Sequence, residues 1–102
     1  MSARTPAELP YHGPVTLVLD YADGGELSFT GIELLVSRTS SAGILDVAGS
    51  GLDAALAEPG LCRARLVLSG GAALVGTVTY INRVGQRFVL CLDPPSVTRN
   101  DL

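Results

Sequence analysis

Apolar and polar residues alternate along most of this chain with the two-residue period of half-buried β-strands. Val15, Leu17, Leu19 and Tyr21 share one face, with Thr16, Val18 and Asp20 between them. Asp23-Gly24-Gly25 is a hairpin turn signal, and the chain returns as "ELSFTGIELLVSR", residues 26–38. Leu27 and Phe29 carry the apolar face up to Gly31, and Ile32, Leu34 and Val36 carry it afterwards. A glycine that shifts the phase inside a strand predicts a bulge or bend where a sheet curves. Ser40-Ser41-Ala42-Gly43 turns the chain into a short third strand, Ile44 to Val47.

The segment "GSGLDAALAEPG", residues 49–60, is the one stretch with helical character. Ser50 is placed to cap it, Asp53 follows three residues on, and Pro59-Gly60 stops it after two turns at most. Strand character resumes over 61–68, where Cys62, Ala64, Leu66 and Leu68 alternate with Arg63, Arg65 and Val67. Ser69-Gly70-Gly71 turns into "LVGTVTYI", residues 74–81, with threonines on one face and Val78 and Tyr80 on the other. A turn over 82–86 leads to a last strand, "RFVLCL", residues 87–92. The proline-rich residues 1–14 read as an extended arm, 15–93 as the globular part and 94–102 as a polar tail. The pattern predicts an all-β chain of about six antiparallel strands, a small barrel or sandwich with at most one short helix.

Composition narrows the functions open to such a domain. At 102 residues with 47% apolar content, the chain sustains one modest core and no second domain. A net charge of −3 and the absence of a basic patch in sequence set aside general nucleic-acid binding, which needs a basic face to displace counterions. Two phenylalanines, three tyrosines and no tryptophan supply little for base stacking. All seven basic residues are arginines, whose planar fork suits phosphates and purine edges, although the codon preference of a GC-rich genome is the favoured cause. No run approaches the ~18 apolar residues that span a bilayer, and the N-terminus lacks a secretory pattern, so a cytoplasmic location without membrane insertion is expected.

Candidate chemistry is sparse. Cys62 and Cys91 lie in separate apolar runs without CxxC spacing, so they read as buried free thiols, with a disulfide open only if their strands pair. His12 stands alone in the arm, and no GxSxG elbow exposes a nucleophile. The paired glycines lack a P-loop lysine and a following helix. The acidic residues are dispersed and read as solubilising. The expectation is a non-enzymatic protein with no metal and no cofactor.

The order of elements, together with "TSSAGILDV" (39–47), "GLCRARLVL" (60–68) and "GTVTYINRVGQRFVL" (76–90), resembles the PilZ domain. The resemblance spans residues 15–93. It implies a six-stranded antiparallel barrel of the bacterial cytoplasm that serves as a receptor or adaptor in cyclic di-GMP signalling. Members of that family that bind the dinucleotide carry R-x-x-x-R before the first strand and D-x-S-x-x-G where the second strand ends. Ser40 and Gly43 match the last two anchors of the second motif, while Arg38 stands where its aspartate would be. Arg4 is followed by Glu8, so the arginine pair is absent. Its loss removes several charge-assisted hydrogen bonds of about 1.5–3 kcal/mol each, or at least about a hundredfold in affinity.

The resemblance thus implies a ligand-contact set of Arg4, Arg38, Ser40 and Gly43, with weak or no cyclic di-GMP binding. Its expected mode of action is contact with a protein partner, a homodimer included. Glu26, Ser28 and Gly31 also satisfy an acid-x-Ser-x-x-Gly spacing, but too early after the first strand to match the family's pattern. The alternative left open is a structural or assembly subunit whose exposed edge strand pairs with a partner or with itself.

Overall fold

The computed structural model describes residues 9–94 of the chain. Six strands form: β1 (Tyr11–Tyr21), β2 (Glu26–Arg38), β3 (Ile44–Ala48), β4 (Leu61–Leu68), β5 (Ala73–Asn82) and β6 (Arg87–Leu92). A single-turn 3-10 segment (Ser50–Leu52) and a short helix, α1 (Asp53–Ala57), lie between β3 and β4. The strands close into an antiparallel barrel in the order β1-β2-β3-β6-β5-β4, with β4 returning to β1. Closure excludes the sandwich alternative. It is sealed by the β1–β4 ladder, which runs from Val15 opposite Leu68 to Tyr21 opposite Leu61.

The alternation along each strand becomes the inside and outside of this barrel. Val15, Leu17, Leu19, Leu34, Val36, Leu45, Val47, Leu66, Phe88 and Leu90 fill the interior and are buried. Leu52, Ala55 and Leu56 of the 3-10 segment and α1 join the same core. The helix is therefore a plug whose apolar face completes the interior. Two side chains fasten it. The Tyr21 hydroxyl donates to the Ala55 carbonyl at 2.8 Å, and Arg83 Nε donates to the Leu56 carbonyl at 2.9 Å. These carbonyls belong to the last turn of a helix, where no intrahelical donor reaches them.

Several expectations are corrected. The first strand begins at Tyr11, inside the span 1–14 assigned to the arm. Pro14 is accommodated because β1 is paired with β4 only from Val15 onward, so its missing N–H breaks no ladder. The Tyr11 hydroxyl donates to the Pro14 carbonyl at 2.6 Å and accepts from the Ser69 N–H at 3.3 Å, tying the strand's start to the β4–β5 turn. Ser50 caps nothing: it opens the 3-10 segment, and neither that segment nor α1 has a side-chain cap. The preceding Gly49 instead donates its N–H to the Gln86 carbonyl at 3.0 Å and passes so close to β2 that a Cβ would lie 2.7 Å from the Glu33 carbonyl.

Bulges explain the remaining differences. The β1–β2 register shifts between Val15 and Leu17, opposite Gly31, whose φ of 76° belongs to the left-handed region that glycine tolerates. That is the phase shift the sequence predicts. A second shift, between Val78 and Tyr80, reverses the face of β5 after Thr79. Tyr80, expected on the same face as Val78, therefore points outward and is 52% exposed. A third shift, at the Asp20–Tyr21 step of the β1–β4 ladder, gives the inward place to Leu61 and removes Cys62 from the core face. Both cysteines are free and half-buried, with β5 standing between their strands, so neither the buried setting nor a disulfide is realised.

Candidate functional site

The five residues between β2 and β3 form a tight connection, closed by hydrogen bonds from the Thr39 N–H to the Ile44 carbonyl at 3.1 Å and from the Ile44 N–H to the Ser41 carbonyl at 3.2 Å. The hydroxyl that shapes the turn is that of Thr39, one residue before the serine of the sequence motif. It accepts from the Ser41 N–H at 3.1 Å and donates to the Ile44 carbonyl at 2.9 Å. Such local side-chain bonds compete well with regular structure and favour a turn here. Gly43 takes the left-handed conformation, φ 77°, and its carbonyl accepts from the Leu92 N–H at 2.8 Å, anchoring the turn to the end of β6.

The candidate residues divide accordingly. Arg38 ends β2 opposite Leu45 and is exposed, and Ser40 is exposed at the turn with no side-chain hydrogen bond among the described residues. Gly43 serves the backbone. The structure thus brings Arg38, Ser40 and Gly43 together at one end of the barrel, and Arg4 lies outside the described residues. The chemistry offered at the turn is one guanidinium and one hydroxyl. That combination donates to an anion but supplies no carboxylate acceptor for a purine N–H edge. His12 is exposed, with its Nε2 4.0 Å from Glu33 Oε1 and no nucleophile in the arrangement.

Two ion pairs on the outer surface were not legible in sequence. Arg63 on β4 grips Asp93 just past β6 through a two-pronged contact, Nη1 to Oδ1 at 3.2 Å and Nη2 to Oδ2, while Nη1 also donates to Thr77 Oγ1 at 3.2 Å. Hydrogen bonding from Arg63, reinforced by its charge, holds the Asp93 carboxyl below its ordinary value against a smaller opposing effect of burial. The second pair joins Arg87 Nη1 to Asp46 Oδ2 at 3.3 Å across β6 and β3. Asp46 Oδ1 and Arg87 Nε are buried there without partners. No signal in the sequence marks either pair, because their members lie far apart along the chain and meet only through strand register.

A shallow cavity of about 360 Å³ on the outer face of β1, β4 and β5 is lined by Val18, Asp20, Glu26, Arg63, Arg65 and Val75. Its charges are mixed, and Arg63 is already engaged by Asp93. Among the described residues, no group of three or more histidine, cysteine, aspartate and glutamate side chains is placed to hold a metal, and no helix is long and apolar enough to cross a membrane. No family model, curated protein or solved structure matches the chain.

Proposed function

We propose that this protein is a PilZ-like regulatory or adaptor module of bacterial cytoplasmic signalling linked to cyclic di-GMP. It acts through protein–protein contact, performs no catalysis and binds the dinucleotide weakly or not at all. The observation that carries the reading is the turn between β2 and β3 of a closed six-stranded barrel, where the Ser40-x-x-Gly43 spacing is kept while Arg38 occupies the acidic position. The turn is braced internally by the Thr39 hydroxyl and by backbone bonds to the ends of β3 and β6.

Calorimetric titration with cyclic di-GMP tests the reading. No saturable heat and no rise in melting temperature are expected at about 100 μM ligand. Tight saturable binding would make the protein a receptor in its own right and overturn the adaptor role. Should such binding occur, Arg38→Ala and Ser40→Ala will weaken it if the turn is the site.

A further inference from the structure

β1 and β2 form a hairpin in which the Tyr21 N–H donates to the Gly25 carbonyl at 2.9 Å. Antiparallel strands alternate between residue pairs that exchange hydrogen bonds and pairs whose N–H and C=O groups face away. Counting from Tyr21, the pairs Leu19–Leu27 and Leu17–Phe29 exchange bonds, so the backbone groups of Glu26, Ser28 and Thr30 face away from β1. On that side β2 meets β3 only from Leu35 to Arg38. Among the described residues, Glu26 to Thr30 has no strand beside it and bonds to no turn or loop backbone. The barrel is closed above this stretch and open along it.

A second observation falls at the same place. A cavity of about 200 Å³ opens beside the edge and is lined by Tyr21, Asp23, Glu26, Leu27, Glu58 and Pro59. Three of these are carboxylates, and none has a cation partner among the described residues. Burial, and then the charge of Glu58, push the Tyr21 phenol above its ordinary value. Leu27 lies across from the fully buried Leu19 yet is itself 37% exposed, an apolar side chain on the core-facing side with nothing laid over it.

We propose that the Glu26–Thr30 edge of β2 and its adjoining cavity form a strand-addition site for an extended segment of a protein partner in which arginine or lysine alternates with apolar residues. The incoming strand exchanges backbone bonds with Glu26, Ser28 and Thr30. Its residue across from Leu27 points to the same face as Leu27, and so into the cavity. A long basic side chain suits that position: its methylenes cover Leu27 and Pro59 while its head reaches toward the carboxylates of Asp23 and Glu58. An acidic residue there meets the like charges of Asp23 and Glu58, and a purely apolar one covers carboxylates without pairing them. Other stretches with a strand on one side only are less suited: Gly31–Leu34 of β2 lies against Gly49 and Gly51, Tyr11–Pro14 of β1 carries a proline, and Val78–Asn82 of β5 carries a bulge that twists its edge away and leads into Arg83, which is tied to α1. The Glu26-x-Ser28 spacing noted in the sequence thus acquires a role through its backbone, as an edge.

The site gives the adaptor reading its surface and partner class and rests on that reading. The experiment reads β2, away from the β2–β3 turn probed by the dinucleotide, so the two can fail separately. The full chain, labelled with nitrogen-15, is titrated with a short acetylated and amidated peptide of alternating valine and arginine. Two control peptides carry glutamate for arginine, or N-methyl groups on the edge-facing amides. Expected are shifts and slowed hydrogen exchange at the Glu26, Ser28 and Thr30 amides, with both controls at least about tenfold weaker. Ser28→Pro deletes one outward donor while leaving the bonds to β1 in place, and it abolishes binding. The surface variant Glu58→Lys keeps a folded spectrum and weakens the arginine peptide at least about tenfold. No perturbation of β2, perturbation confined to another face, or equal binding of either control overturns the proposal. Protection of these amides that grows with protein concentration alone assigns the edge to a second copy and also overturns it.

Discussion

Tyr21 shows how much one side chain does in a domain this small. It is buried at the end of β1, and its hydroxyl is the donor that satisfies the Ala55 carbonyl of the plug helix. Tyr21→Phe keeps the ring and strands that carbonyl, so a loss of about 1–3 kcal/mol is expected in urea unfolding. Because burial and Glu58 raise the folded-state phenol above 10.0, folding holds the proton more tightly than the unfolded chain does. That contribution is fully present below the unfolded value and is lost as pH rises through the higher folded one. The phenylalanine variant therefore lacks this alkaline decline, which melting curves above about pH 10 will detect. Asp93 runs the other way. Arg63 depresses its carboxyl, so the pair's contribution is present above the ordinary value of 3.8 and disappears as pH falls through the lower folded one. In Asp93→Asn that part of the acid-side loss is missing, and the melting temperature depends less steeply on pH below about 4.

At the scale of elements, turns and bulges decide which face each strand presents. The β2–β3 turn was identified from its Ser-x-x-Gly spacing, yet the hydroxyl that builds it is Thr39. Thr39→Val is expected to cost about 1 kcal/mol, while Ser40→Ala changes stability by less than about 0.5 kcal/mol, and paired denaturation curves separate the two. Gly49 is a glycine for reasons of space: a methyl group there meets the Glu33 carbonyl and the Leu34 side chain. Gly49→Ala should cost about 1–3 kcal/mol by forcing β2 and the plug apart. The Gly31 bulge was readable because a glycine interrupts the apolar phase. The Thr79 bulge was not, since threonine fits either face of a strand and the shift exists only relative to β6.

For the whole molecule, closure places the strands far apart in sequence around one core. Phe88, the largest fully buried side chain, stands on the last strand and packs within a cluster that includes residues of β1 through β4. Phe88→Ala is expected to cost about 3–5 kcal/mol, a large part of the stability of a domain this size, and the loss will appear as a sharply lowered urea midpoint. Closure also limits how such a protein can associate. A sealed barrel offers no continuous edge, so pairing through strands is confined to stretches like Glu26–Thr30, where strand lengths do not match.

The period-two alternation and the glycine and proline signals by themselves determined the six strands, their approximate bounds, the short helix and the antiparallel all-β class. Those signals are local: a side chain's face and a turn's backbone preference are properties of a few neighbouring residues. The tertiary structure alone decided that β4 closes onto β1, that Tyr11 to Pro14 belong to the barrel, and that Cys62 and Tyr80 leave the inner face. It likewise decided that Arg63 meets Asp93 and that Glu26–Thr30 of β2 runs without a neighbour on the side away from β1. Each depends on register between strands distant in sequence, and a shift of one residue in register exchanges inside for outside. The residues of "VSRTSSAGILDV" announced a turn, and only the folded barrel showed that Thr39 holds it while Arg38 and Ser40 stand free beside it.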